Sequence, residues 1–142
     1  MPNANAKVFA PVSLGTLEGV TQQRINFTLA EIQALGGNGG DLDTGIRINS
    51  GGYVIAASAS CTTDVAGSGI NGLILKLKRG SSVLTAPGNL TTATDPVALV
   101  GGLEAGSAGS VLINVSVNGV GATGDITAPT AGIDITLAYE EG

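Results

Sequence analysis

Alternation of apolar and polar residues is the strongest pattern in the chain from residue 46 onward. In the segment 110–117 large aliphatic residues occupy every second position, and the segment 133–139 repeats the pattern. Successive side chains of a strand point to opposite faces, so this pattern predicts strands with one apolar and one polar face. The predicted strands are residues 46–48, 53–61, 73–79, 83–85, 97–100, 110–117 and 133–139.

Glycine-rich segments separate these strands and predict turns and loops. They are residues 36–40, 67–72, 101–109 and 119–124, and residues 80–82 form a tight turn. Short strands that are separated by turns at regular intervals, with little helix, are typical of an antiparallel sandwich or barrel. The chain length suits one domain of this all-β class.

One helix is predicted, over residues 29–35. Thr28 and Glu31 have the spacing of a capping box, in which each residue bonds the other's backbone N–H. Phe27 and Ile32 occupy the positions of a hydrophobic staple around that cap. A glycine follows the last helical residue, and glycine readily takes the left-handed conformation that ends a helix.

Residues 1–19 lack the alternation and are predicted to be an extended N-terminal arm before a domain at 20–142. The segment contains Pro2 and Pro11, which restrict the backbone. Its apolar residues, which would anchor the arm on a neighbouring molecule, are Phe9, Val12, Leu14 and Leu17. A terminus without fixed structure is the alternative, and the sequence does not separate the two.

Composition argues against catalysis. The 142 residues include no His, no Trp, one Cys, two Tyr and two Phe. Imidazole is the usual general base and transition-metal ligand near neutral pH. A chain without histidine therefore cannot form the common histidine-dependent nucleophilic sites and zinc sites. We therefore expect a protein that is not an enzyme and has no cofactor or metal. Cys61 lies among small and apolar residues, which favours a buried thiol.

The formal net charge of −5 argues against a nucleic-acid partner. The basic cluster at residues 76–79 has Lys76 and Lys78 alternating with leucines, which is typical of a strand with a charged, solvent-facing side. The first residues lack the pattern of a signal peptide, and no apolar run reaches transmembrane length. We expect synthesis in the cytoplasm without export, and no membrane partner.

The segment 36–43 has a second interpretation. Asp41 and Asp43 follow four glycines and one asparagine, a composition similar to a calcium-binding repeat. Such repeats bind by stacking several copies, and this segment occurs once. A glycine-rich loop is the favoured interpretation, and ion binding stays the alternative.

Four segments resemble the trimeric jelly roll of the tumour-necrosis-factor and complement-globular-head superfamily. They are the Gly-x-Tyr-type strand at 51–55, the strand 73–79 with its turn, the segment 99–106 leading into 111–117, and the terminal strand 133–139. The resemblance implies an antiparallel jelly-roll sandwich that assembles as a homotrimer. The abundance of small and aliphatic strand residues also favours association. The expected trimer interface is Tyr53, Ile133, Ile135, Leu137 and Tyr139.

A small, His-free jelly roll with an arm and no export signal is similar to tailed-bacteriophage capsid decoration (cement) proteins. This similarity implies a structural virion protein on the capsid exterior, bound to the lattice of the major capsid protein. The four apolar arm residues are then the expected capsid contacts. The alternative is a receptor- or carbohydrate-binding head of a phage fibre, although the loops 67–72 and 119–124 contain no aromatic residue. A small hydrolase has the least support.

Overall fold

The computed structural model describes residues 20–84, 88–93, 96–99 and 108–140, most of which lie in strands. The strands are β1 Thr21–Phe27, β2 Gly39–Ile48, β3 Tyr53–Cys61, β4 Ala66–Gly67, β5 Ile70–Arg79, β6 Ser82–Val83, β7 Gly88–Leu90, β8 Val97–Leu99, β9 Gly109–Gly119, β10 Ile126–Ala128 and β11 Ile133–Glu140. The other described elements are the helix α1, Leu29–Gln33, and a 3₁₀ turn, Thr123–Asp125. The expectation of an all-β fold with a short helix is confirmed.

Two antiparallel sheets make up the body. Sheet 1 has the order β1-β11-β3-β8, and sheet 2 has the order β2-β9-β5, with β6 and β7 both pairing with β5. The short strands β4 and β10 pair with each other. Buried residues of both sheets belong to one hydrophobic cluster, so the arrangement is sandwich-like.

The strand pairing is nested. Strand β1 pairs with β11, β2 with β9, β3 with β8, and β5 with β7. With the two-residue β6 set aside, these pairs join the first strand of the two sheets to the last, the second to the next-to-last, and so on inward. The chain is thus a folded two-stranded ribbon. The pairs β3–β11 and β5–β9 then join parts of the ribbon into sheets.

The alternating strands supply the core. Fully covered aliphatic side chains include Val111, Ile113, Val115, Ile133, Ile135 and Leu137. The residues between them lie on the outer faces and are half-buried. Each large aliphatic side chain removed from water contributes roughly 1.5–3 kcal/mol to the free energy of folding. The side chains of these two strands therefore supply much of the hydrophobic stabilisation.

The sequence pattern does not predict strand β1, because its alternation is interrupted by a polar residue that faces inward. Gln23 is 7% exposed and accepts a hydrogen bond of 3.0 Å from the hydroxyl of Tyr139. The bond satisfies the buried amide oxygen, so a glutamine is tolerated where an aliphatic residue is expected. The strand adds Ile25 and Phe27 to the core.

The segment 39–43 was expected in a loop, and the structure places it in β2. Its residues pair with β9 from Gly39 opposite Ser116 to Asp43 opposite Leu112. Gly39 has φ +143°, and a Cβ there would overlap the carbonyl of Val115. The glycine therefore permits close strand approach rather than marking a loop.

Helix α1 has the predicted cap and ends two residues earlier than expected. The Thr28 side chain accepts from the Glu31 N–H at 3.2 Å, and the Glu31 carboxylate accepts from the Thr28 N–H at 3.0 Å. Gly36 has φ +76°, the left-handed conformation expected after the helix. Ile32 is fully covered, and the Gln33 amide donates a 2.7 Å hydrogen bond to the carbonyl of Ile126. The helix is therefore held by its cap and by contacts with the body.

We expect Thr28→Ala to lower the free energy of unfolding by about 1 kcal/mol, because the Glu31 N–H loses its acceptor. Thr28→Ser keeps the hydroxyl and is the matched control. Urea denaturation of the three proteins measures the difference. Equal midpoints for the alanine variant and the parent would contradict a stabilising role for the cap.

Gly132 is a second sensitive position. It has φ +75°, and a Cβ there would overlap the carbonyl of Phe27, which lies just before the helix cap. Gly51 has φ +91° with nothing near its Cβ position, so an alanine there would introduce backbone strain without a steric overlap. We expect Gly51→Ala to cost about 1–2 kcal/mol and Gly132→Ala at least twice as much. Similar melting temperatures for the two variants would show that the close approach is easily relieved.

Candidate functional site

The residues expected at contacts fall into two groups. The expected capsid contacts Phe9, Val12, Leu14 and Leu17 lie outside the described residues. Of the expected trimer interface, Ile133, Ile135 and Leu137 have no exposed surface, and Tyr139 is 3% exposed. These four side chains are covered within a single chain, so they are core residues and offer no side-chain surface to a neighbouring subunit.

Tyr53 is the member of that group at the surface. It begins β3, is half-buried, and lies opposite Glu140 at the end of β11. A hydrogen bond with the Glu140 carboxylate, together with its negative charge, raises the pKa of Tyr53. The pair marks the end of sheet 1 where residues 1–19 and 141–142 join the described chain.

A cleft lies between α1 and the start of β2, with a volume of about 420 Å³. It is lined by Phe27, Glu31, Ala34, Leu35, Asp41, Leu42 and Asp43. Its carboxylates have partners within the chain. Glu31 completes the helix cap, and Asp43 accepts a 2.8 Å hydrogen bond from the N–H of Gly45. The cleft is therefore acidic, with side chains that also serve the fold.

Asp41, on β2, contacts two other strands of sheet 2. Its carboxylate lies 2.8 Å from the Lys78 ammonium on β5 and accepts a 2.9 Å hydrogen bond from the Asn114 amide on β9. Partial burial raises the pKa of Asp41, but the hydrogen bonds from Lys78 and Asn114 and the charge of Lys78 outweigh it. The pKa therefore lies below its ordinary value, and the ionised form is favoured.

The arrangement of acidic side chains bears on the ion-binding alternative for the segment 36–43. Within the described ranges, no three His, Cys, Asp or Glu side chains come together as a metal site. The oxygens of Asp41 face Lys78 and Asn114, and Asp43 binds its own turn. A cation would have to displace these partners.

Cys61 is a free, buried thiol, as its sequence context favours, with 6% of its surface exposed. Burial raises its pKa, and the negative charges of Asp64 and Asp134 add to the effect. The thiol form is therefore favoured near neutral pH. Since the thiolate is the reactive form, the residue behaves as a small core side chain.

Arg79 is the last residue of the basic cluster, and the structure buries it to 5% exposure. Its guanidinium donates to the backbone carbonyls of Gly52 and Asn49, which lie in the turn between β2 and β3. The period of the strand contained the signal: Lys76 and Lys78 face outward, so Arg79 faces inward with Leu77. The side chain anchors a turn.

Asp41→Asn should reveal the lowered pKa of Asp41 as a pH-dependent loss of stability. The folded-state pKa lies below the ordinary value of 3.8, so the ionised carboxylate stabilises the fold above that pH. This contribution is lost as the pH falls through the folded-state pKa. The partly exposed pair should contribute less than about 1 kcal/mol.

Urea unfolding near neutral pH and at about pH 2.5 tests this expectation. The variant should be less stable than the parent near neutral pH and equal to it in acid. Lys78→Gln, which removes the partner charge, is the matched control and should show the same pH dependence. A pH-independent difference between parent and Asp41→Asn would contradict the assignment.

No helix in the described part of the chain is long and apolar enough to cross a membrane. Comparison of the chain with protein-family models, curated proteins and solved structures gives no match.

Proposed function

We propose that this chain is a structural virion protein that binds and stabilises a tailed-phage capsid from the outside, as a decoration protein. The observation that carries the proposal is that the described body exposes few large apolar side chains and that the carboxylates of its cleft already have hydrogen-bond or ion-pair partners within the chain. Val83 and Val120 are its exposed large hydrophobic residues. The carboxylates of its cleft bind backbone and neighbouring side chains. Such a body is suited to a mechanical role rather than to chemistry on a substrate.

The proposal includes a jelly-roll topology, and the nested pairing supports it. A jelly roll is an antiparallel ribbon of eight strands folded into two facing sheets. Here the ribbon pairs are β1–β11, β2–β9, β3–β8 and β5–β7. Placing alternate pairs in alternate sheets gives the orders β1-β11-β3-β8 and β2-β9-β5-β7, in agreement with the observed neighbours.

The arm is proposed to supply most of the apolar contact with the shell. A stable protein–protein contact buries apolar side chains at its centre, and the described body exposes few of them. The arm residues Phe9, Val12, Leu14 and Leu17 are the remaining concentration of large apolar side chains. An arm that orders on a partner accepts an entropy cost, which the apolar contacts must exceed.

A homotrimer bound to the major capsid protein lattice stays part of the proposal, on the basis of the superfamily resemblance. Because the aliphatic residues of β11 are buried in the core, the proposed trimer interface must be formed by other residues. Tyr53 and the outward residues of sheet 1 are the surface that remains near that strand. Closed cyclic symmetry would give each subunit the same contacts with the lattice.

A receptor- or carbohydrate-binding head is the less supported alternative. Sugar-binding surfaces commonly present aromatic rings with polar groups around them. Of the described aromatic residues, Phe27 is 1% and Tyr139 is 3% exposed, which leaves Tyr53 at the surface. The described body therefore offers little aromatic surface for a sugar.

Deletion of residues 1–17 tests the decoration role. The melting temperature of the body should change little, while co-sedimentation with capsid shells assembled without this protein should be lost. The matched control keeps the arm length and charge and carries Phe9→Ser, Val12→Ser, Leu14→Ser and Leu17→Ser together. It should also fail to bind.

The outcomes separate the parts of the proposal. Full shell binding by the truncated protein would move the contact from the arm to the body. Failure of the intact protein to bind shells would refute the decoration role itself. Analytical ultracentrifugation of the same samples reports whether the free protein is a trimer.

A further inference from the structure

The outer face of sheet 2 differs from the rest of the described surface in its charges. It carries Arg47 on β2 and Lys76 and Lys78 on β5, three of the five cations in the described residues. The other two are Arg24, on the outer face of sheet 1, and the buried Arg79. Asp41 and Asp43 on β2 lie on the same face, so it carries three cations and two carboxylates. The rest of the described residues have two cations and five carboxylates, so this face is the part of the described surface with an excess of positive charge.

The cations of this face are unequally paired. Lys78 is bound to Asp41. Lys76 lies opposite Asn114, and Arg47 lies opposite Ser110 in the strand register. Among the described residues, neither Lys76 nor Arg47 has a carboxylate at ion-pair distance. Two positive charges are therefore available to groups outside the described body.

Aliphatic residues lie in the same face. Val83 on β6 and Leu112 on β9 are the two register neighbours of Lys78, one on each side. Val83 is 56% exposed and Leu112 is half-buried. The row Val83–Lys78–Leu112 thus combines apolar surface with a long aliphatic lysine stem, and lysine stems pack against apolar surface while the ammonium reaches polar groups.

We propose that this face of sheet 2 docks on an acidic protein surface of the capsid subunit. The inference rests on the proposed decoration role and specifies which side of the body faces the shell. Complementary charge selects the partner, because a basic surface would be repelled by Lys76 and Arg47. The aliphatic row supplies the small apolar centre of the contact, and its flanking cations supply orientation.

The charge component is tested with Lys76→Glu against Arg24→Glu. Each change reverses one positive charge on a strand. Lys76 lies on the outer face of sheet 2, whereas Arg24 lies on the outer face of sheet 1. Association with capsid shells assembled without this protein is measured by light scattering at low and high salt. Lys76→Glu should slow association roughly tenfold at low salt and much less at high salt. Arg24→Glu should bind like the parent.

The apolar component is tested with Val83→Ser against Val120→Ser. Val120 is 96% exposed in the turn after β9, so it controls for loss of an exposed valine. Val83→Ser should dissociate faster from shells, and Val120→Ser should not. If Lys76→Glu melts below the assay temperature, Lys76→Gln replaces it and should give a smaller effect in the same direction.

Each outcome decides between the two levels of proposal. Parent binding with equal effects of Lys76→Glu and Arg24→Glu, or with no effect of either, overturns the docking face and leaves the decoration role intact. Absence of binding by the parent overturns the decoration role and the docking face with it.

Discussion

Nested antiparallel pairing is the constraint on which the rest of this structure depends. It places the first described strand against the last, so residues 21–27 and 133–139 lie side by side in register. Two features of the core depend on the pairing of these two strands. The inward residues of β1 and β11 complete the core of sheet 1, and the Gln23–Tyr139 hydrogen bond joins their side chains inside it. Such long-range pairing has a high entropy cost of closure, which the buried aliphatic residues must repay.

The strands that can be predicted from the sequence are those whose apolar residues alternate regularly with polar ones. Strands β9 and β11 are predictable because aliphatic residues repeat every second position without a break. Strand β1 was not predicted because its inward Gln23 is explained only by the hydroxyl of Tyr139, which lies two residues beyond the register partner of Gln23 on β11. The first half of β2 was missed because Gly39, which reads as a loop residue, allows the backbone of β9 to approach.

The site residues were harder to predict than the fold because they depend on register. The contact of Asp41 with Lys78 and Asn114 joins residues of three strands, and no spacing along the chain brings them together. The interface expected from β11 shows the same limit. The pattern identified its apolar face, but whether that face belongs to the core or to a subunit contact is decided by the opposite sheet. Its full burial within one chain assigns it to the core.

The core contains most of the large aliphatic side chains of the described residues, and this determines how the body can associate. Its described surface offers short polar residues, half-buried aliphatic residues and charged residues on the outer faces of the sheets. Surfaces of that kind give orientation and rate more readily than long residence. Durable attachment then needs apolar area from elsewhere in the chain, which is the physical reason for giving the arm a separate role.

An arm and a sheet face would contribute to attachment in different ways. The face belongs to strands already held by pairing, so docking it orders few groups. Its charges act over a distance of about 8 Å in physiological salt. An arm that orders on docking loses about 1 kcal/mol of backbone entropy per residue fixed, and it is repaid by apolar burial. Once the face is docked, the arm meets its site as an intramolecular partner at high effective concentration. Salt concentration should therefore govern the rate of association with the shell, and apolar contact should govern the rate of dissociation.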